Sequence, residues 1–279
     1  MKRIEIYRDK SNYVRAFLRY FLLSFVLVFP AFANGQFNHD SWDILLKKHV
    51  RVIDGGKASQ VDYAGMAKDQ ASLNAYLGDV ASVRKQTFDE WTTDEQLAFL
   101  INTYNAATVS LVLTEYPELD SIRDIGSLFR SPWSRAFVSL FGEMVTLDNI
   151  EHDMIRGWDI YREPRIHFAV NCAAIGCPPL RAEAYVGSKL TQQLDDSTRL
   201  FLSDRSRNYF DGKRVYVSKI FDWYADDFEQ GWQGIDSLGE FLSNYSAALG
   251  LDADQKQALS AGRISIRYLS YDWGLNQTR

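Results

Sequence analysis

Thr93–Tyr116 reads TDEQLAFLINTYNAATVSLVLTEY, and Pro117 follows it. Its apolar residues are Leu97, Phe99, Leu100, Ile101, Tyr104, Val109, Leu111, Val112 and Leu113. At helical spacing they cover nearly the whole circumference rather than one stripe, the pattern of a helix buried on all sides. Thr93 opens the stretch with Gln96 three residues on, a capping-box spacing. Pro117 cannot continue a helix. The stretch therefore predicts a long central helix over Thr93–Tyr116. It also carries two amides, Asn102 and Asn105, and a buried amide has to find partners. They read first as ties between helix and loops, and second, for Asn102, as a site residue.

Working outward, Ser41–Val50 has helical spacing, with Ser41 placed to cap it. A turn follows at Asp54-Gly55-Gly56, then a helical stretch over Ala67–Val80. Ala136–Leu147 changes to short strand-like runs with a hairpin turn at Gly142-Glu143. Asp148 then caps a short helix, Asn149–Arg156. Arg165–Asn171 alternates after Pro164 and predicts a strand on which Arg165 and His167 share a face. Gly176–Pro179 is a loop. Ser188–Leu202, Phe221–Phe228, Leu238–Leu249 and Ala253–Ala261 predict helices. Lys213–Val217 and Ile264–Tyr268 predict strands. There is no internal repeat and no low-complexity linker. The fold class expected is α+β: a predominantly helical single domain around a long buried central helix, with a few short strands.

The first 33 residues have another character. Lys2, Arg3, Arg8, Lys10, Arg15 and Arg19 make a basic leader, Tyr20–Phe29 is apolar apart from Ser24, and Ala31-Phe32-Ala33 follows Pro30. That is the layout of a secretory signal cleaved before Asn34. The apolar run is shorter than the roughly 20 residues of a membrane span. The reading is a signal peptide at 1–33 and a globular domain at 34–279, periplasmic or secreted, with no stable membrane span after cleavage. A retained anchor is the alternative. The formal charge of the full chain is −5, and loss of the basic leader makes the remainder more acidic. No basic patch interleaved with aromatics is present, which argues against a nucleic-acid partner.

The chain has four histidines and two cysteines, and His152, His167, Cys172 and Cys177 fall within 26 residues. Three chemistries fit this cluster. A disulfide fits an exported protein. A zinc ion fits two histidines and two cysteines as a tetrahedral set, although the two-residue spacing between cysteines is missing. A thiol nucleophile fits a cysteine whose pKa a neighbouring histidine lowers. In that last reading Cys172 or Cys177 is the nucleophile, His152 or His167 the base, and Glu151 or Asn102 an orienting group. Glu151 adjoins His152, and helix neighbours face different ways. The expectation is that His152, His167, Cys172 and Cys177 converge beside Asn102, with His152 brought in by tertiary packing. Asp222, Asp226 and Asp227 read as packing and capping residues, and Asp272-Trp273 as an anchor for the tail.

Several segments occur in an order that carries a resemblance. They are Phe99–Ala106, Leu147–His152, Arg165–Pro178 (RIHFAVNCAAIGCP), Ser218–Tyr224 and Tyr271-Asp272-Trp273. Together they resemble the domain-of-unknown-function 547 family, from about Thr93 onward. Ala173 stands where that family often has glycine. The family motif includes the positions of Asn102, Glu151, His152, His167, Cys172 and Cys177. The resemblance implies no particular reaction. Some of its members look intracellular, where a structural disulfide does not persist, so it shifts weight toward the metal and thiol readings. The first functional expectation is a thiol-dependent acyl transferase or amide hydrolase acting on a peptide-like or cell-envelope substrate. The second is a non-catalytic binding or assembly domain whose Cys/His cluster is structural, held by zinc or a disulfide.

Overall fold

A computed structural model describes residues 37–126 and 131–278. The signal segment 1–33 and its cleavage point before Asn34 lie outside the described residues. Helices dominate, and the strands are short, so the α+β class is borne out. In chain order the first elements are α1 (Asp40–His49), β1 (Val50–Ile53), β2 (Ala58–Val61), α2 (Tyr63–Lys68), α3 (Gln70–Ser82), α4 (Lys85–Asp89) and α5 (Thr93–Leu113).

The helix α5 is the predicted central helix, and every residue from Gln96 to Val109 is buried. By length and composition it could cross a membrane, but here it is wrapped by protein. Its N-cap is Thr92, one residue before the predicted one. Thr92 Oγ1 accepts from Glu95 N at 3.3 Å, and Glu95 Oε2 accepts from Thr92 N at 2.9 Å. The capping box thus uses Glu95, not Gln96. Gln96 instead turns inward and donates to the carbonyls of Phe88 and Trp91. The helix ends at Leu113 rather than Tyr116, and a turn leads to Pro117. Around α5 lies a first apolar cluster containing Trp42, Tyr76, Phe88, Phe99 and Leu100. Ser41 does not cap α1; the Asn38 side chain accepts from Asp40 N at 2.6 Å in its place.

Next come β3 (Val138–Leu140) and β4 (Glu143–Val145), an antiparallel hairpin. Its two-residue turn is Phe141-Gly142, with φ of 55° and 84°. Two positive φ values are what the tight hairpin turn matching strand twist demands, so the turn sits one residue earlier than predicted. Asn149–Arg156 is helical, as a π-helix. It is capped by Thr146, whose Oγ1 accepts from Asn149 N at 2.9 Å. Asp148 makes no capping bond, contrary to expectation, and its carboxylate is left free of that duty.

A second apolar cluster is built from later elements: α6 (Leu190–Leu202), β5 (Tyr209–Phe210), β6 (Val215–Val217), α7 (Ile220–Trp223), α8 (Ala225–Phe228), α9 (Leu238–Asn244), α10 (Ser246–Leu249), α11 (Ala253–Ser260) and β7 (Ile266–Tyr268). Phe168, Phe201, Phe221, Phe228 and Phe241 fill it. The strand β6 pairs antiparallel with β5 and parallel with β7.

The predicted strand Arg165–Asn171 is not a strand. Pro164–Phe168 is a 3₁₀ turn. Proline presets the first helical position, and the Glu163 side chain accepts from Arg165 N at 3.1 Å. A single tight turn sends Ile166 into the first cluster and Phe168 into the second. The two cores therefore meet at this segment. Arg165 and His167 do not share a face: Arg165 pairs with Glu163 and covers the Trp232 ring, whereas His167 meets Asp227.

Candidate active site

Where the two cores meet, a cavity of about 230 Å³ opens to solvent. Its walls include Tyr104 from α5, Asp148, Glu151 and His152 from the π-helix region, His167 from the 3₁₀ turn, and Cys172 and Cys177 from the loop after it. Trp223 and Tyr224 from α7 and its C-cap, and Tyr271 and Trp273 from the tail, complete it. Five of the six sequence-predicted site residues thus share one cavity. The sixth, Asn102, does not line it. Its amide donates to Tyr185 O at 2.8 Å and accepts from Tyr185 N at 3.0 Å, so it ties a loop to α5 and is not bonded to a histidine.

Cys172 and Cys177 are joined as a disulfide. Among the described residues there is no free cysteine, and no group of three or more His, Cys, Asp or Glu side chains is gathered as metal ligands. With the sulfurs bonded to each other, the donor set for the zinc reading is not assembled. Neither histidine hydrogen-bonds a sulfur. The Tyr271 hydroxyl does, at 3.1 Å from Cys172 Sγ and 3.0 Å from Cys177 Sγ. Burial pushes the Tyr271 phenol well up, so it stays protonated and able to donate.

The two histidines are in different situations. His152 is half-exposed, and its Nδ1 lies 3.0 Å from Arg156 Nη1. A guanidinium only donates, so Nδ1 must accept, and neutral His152 carries its proton on Nε2. Held this way, His152 has Nε2–H left to donate, with Asp148 Oδ1 3.9 Å from Nε2. His167 is buried and stacks on Tyr224 with ring centres 3.9 Å apart. Its Nε2 is 2.7 Å from Asp227 Oδ2, and Arg156 grips the same carboxylate through Nε at 2.5 Å and Nη2 at 2.9 Å. Burial lowers the His167 pKa despite Asp227, so the ring is neutral near pH 7. Burial opposes ionisation of Asp227, but the bonds from His167 and Arg156 outweigh it and hold its carboxyl well below the usual range. An ionised Asp227 accepting at Nε2–H leaves Nδ1 as the basic nitrogen of His167.

Glu151 is buried and accepts from the Tyr224 hydroxyl at 2.9 Å. It orients Tyr224, not a histidine. Asp148 is half-exposed at the mouth, and burial raises its carboxyl above the ordinary value. Sequence reasoning missed Asp227, Arg156, Tyr224 and Tyr271. In the sequence Asp227 reads as a packing and capping residue; its only signal is a carboxylate set among aromatics, and its partners are 60 and 71 positions away.

The loop between the cysteines is held independently of the sulfurs. Asn171 Oδ1 accepts from Ala173 N at 2.9 Å, and Asn171 Nδ2 donates to Pro178 O at 2.8 Å, so one side chain bridges both ends. The tail runs alongside: Ile175 N donates to Gly274 O, Gly176 N to Asp272 O, and Asn276 N to Ala173 O, at 2.8, 2.8 and 3.0 Å. A Cβ on Gly176 would stand 2.9 Å from Asp272 O and from the Tyr271 ring, so glycine permits this approach. Ala173 has a φ of 63°. That left-handed backbone favours glycine, which accounts for the glycine often found there in the resembling family.

Residues 88–202 match the family described as "Protein of unknown function, DUF547". No curated protein and no solved structure matches the chain. The matched stretch contains α5, Glu151, His152, His167 and both cysteines. The Ser218–Tyr224 and Tyr271–Trp273 segments, with Asp227, lie beyond it. The resemblance read from the motifs is thereby shown over residues 88–202: the chain resembles the domain-of-unknown-function 547 family.

Proposed function

We propose that the cavity is a thiol-dependent acyl-transfer or amide-hydrolysis site acting on a peptide-like or cell-envelope substrate. The observation that carries the reading is the Asp227–His167 pair, which opens onto the same cavity as Cys172. Asp227 fixes the ring and its tautomer through Nε2, the job of the third member of a nucleophile–base–acid set. His167, neutral near pH 7, is in the form that accepts a proton. In the reduced protein, the Cys172 thiol gives its proton to His167 Nδ1 and the thiolate attacks the substrate carbonyl carbon. A carbon–sulfur bond forms, and the leaving amine departs with the proton from the imidazolium. Water or an acyl acceptor then releases the acyl group. His152, donating from Nε2, faces the cavity as a hydrogen-bond donor for the developing oxyanion. The aromatic walls suit an extended peptide-like chain. Export is part of this reading: it draws on the leader at 1–33 and on the disulfide, a bond that persists in oxidising compartments.

The rival reading is a non-catalytic binding or assembly domain, and the bonded sulfurs favour it. One experiment separates them. Protein reduced under native conditions is offered thioester and peptide-amide reporters, and intact mass is followed. Acyl transfer predicts a mass adduct on Cys172 and turnover at least about 100-fold above Cys172→Ala. Reduced wild-type protein with no adduct and no advantage over Cys172→Ala would sink the catalytic reading.

A further inference from the structure

We propose that the Cys172–Cys177 bond is an exchange site for thiols, entered through Cys172 with Cys177 as the leaving sulfur, and selective for cationic thiols. A stapling disulfide is needed where nothing else holds the loop. Here Asn171 spans the loop ends and the tail pins Ala173, Ile175 and Gly176. The loop keeps its shape with the sulfurs reduced.

The two sulfurs are inequivalent. Cys172 is partly exposed, whereas Cys177 is buried at 5 % exposure. Cys177 Sγ accepts from Cys172 N at 2.9 Å, and the Tyr271 hydroxyl, with one proton to give, lies 3.0 Å from Cys177 Sγ and 3.1 Å from Cys172 Sγ. An incoming thiolate reaches Cys172 Sγ. A new sulfur–sulfur bond forms there, the Cys172–Cys177 bond breaks, and its electron pair passes to Cys177 Sγ. The Cys172 amide already points at that atom and the Tyr271 proton is free to follow the developing charge to it, which makes it the better leaving sulfur. A second thiol attacks the mixed disulfide and frees Cys172. Two thiols become one disulfide while the protein gains a dithiol, so two electrons are conserved. The class of incoming thiol follows from the walls: among the described residues Asp148 and Glu151 line the cavity and no Lys or Arg does, and Arg207, the guanidinium beside the loop, is turned to the Cys177 carbonyl. A thiol bearing an ammonium group is therefore favoured over one bearing a carboxylate.

The probes are cysteamine and mercaptoacetate, each calibrated against a small unstructured disulfide. Acid-quenched samples are mapped by mass spectrometry, with circular dichroism confirming that the fold is intact. The expected result is a cysteamine adduct on Cys172, formed about tenfold faster than the mercaptoacetate adduct at low salt after calibration. Tyr271→Phe should slow the exchange about 3- to 10-fold. A parallel readout compares Cys177→Ser with Cys172→Ser toward a chromogenic disulfide; the thiol left in Cys177→Ser should react at least about tenfold faster. An adduct on Cys177, exchange only after unfolding, or equal rates for the two probes overturns the proposal. Exchange is read without any acyl substrate, so its failure and the failure of acyl transfer are separate results.

Discussion

The helix α5 and the Pro164–Pro178 segment lie against each other, and they satisfy their backbones in opposite ways. Within α5 the amides and carbonyls bond along the helix, and Thr92 with Glu95 closes its first turn. Beyond its short 3₁₀ turn, the segment's own bonds are those of the cysteine loop: Cys177 N donates to Ala174 O, and the Asn171 side chain bridges the loop ends. Its other groups are met by side chains and strands from far along the chain: Asn105 Oδ1 accepts from Asn171 N at 2.8 Å, Asn105 Nδ2 donates to Ala169 O at 2.9 Å, and the tail takes Ala173, Ile175 and Gly176. The helix would keep its conformation with different neighbours. The segment that carries His167 and both cysteines has its conformation because of its neighbours. Chemistry here sits on the dependent partner, and α5 is the template that holds it.

That contrast can be broken at its stronger end first. Leu100 is fully buried on α5, and Leu100→Ala should lower unfolding free energy by about 2–5 kcal/mol in denaturant titration. A loss below about 0.5 kcal/mol would mean the helix is peripheral. Asn105→Leu tests the link between the two regions. It leaves Ala169 O and Asn171 N buried without partners, which should cost about 2–3 kcal/mol. It should also broaden the backbone NMR signals of residues 169–178 more than those of α5; equal broadening in both would deny the template role.

Acid probes the dependent region through His167 and Asp227, and the first core through His39, whose pKa burial lowers to about 4. His167 and Asp227 both have folded pKa values below their ordinary ones. A group of that kind adds stability that is present above its unfolded pKa and is lost as pH falls. The loss should begin below about 6.5 through His167 and continue below about 4 through Asp227. After allowance for the partial exposure of Asp227, its share is about 1–2 kcal/mol. Asp227→Asn should be less stable at pH 7 and flatter between pH 5 and 3 on that account; an unchanged slope would show that the carboxylate is not held down. The smallest effect has the opposite sign. Ala173→Gly relieves a left-handed alanine and should add about 1 kcal/mol in the same titration. Destabilisation would mean that the Ala173 methyl packs better than its backbone strains.

The same contrast governs what can be read from the chain alone. An apolar circumference is a local signal, so α5 was legible as an element, with its cap misplaced by one position and its end, at Leu113, three residues before the predicted Tyr116. Alternation in Arg165–Asn171 was a real signal with the wrong cause: Ile166 and Phe168 are apolar because they enter two different cores, not because they line one sheet face. The cysteines and histidines were legible as a cluster because four scarce residues fall close together. Their partners were not. Tyr271 is 99 positions from Cys172, and Tyr224 is 73 from Glu151. Asn102 and Asn105 looked alike in sequence, and only their separate targets, Tyr185 and the Ala169–Asn171 backbone, give them distinct roles.

The tail beside the cysteine loop also sets the order of events in time. Tyr63 and Asn276 meet across 213 positions, and Val61 takes both Asn276 O and Thr278 N. Contacts closed over such separations carry a large loop-closure cost and slow folding. A chain still folding has both cysteines before it has the Tyr271 hydroxyl beside them. Sulfur reactivity in this molecule therefore has an age: it differs between a newborn chain and a finished one.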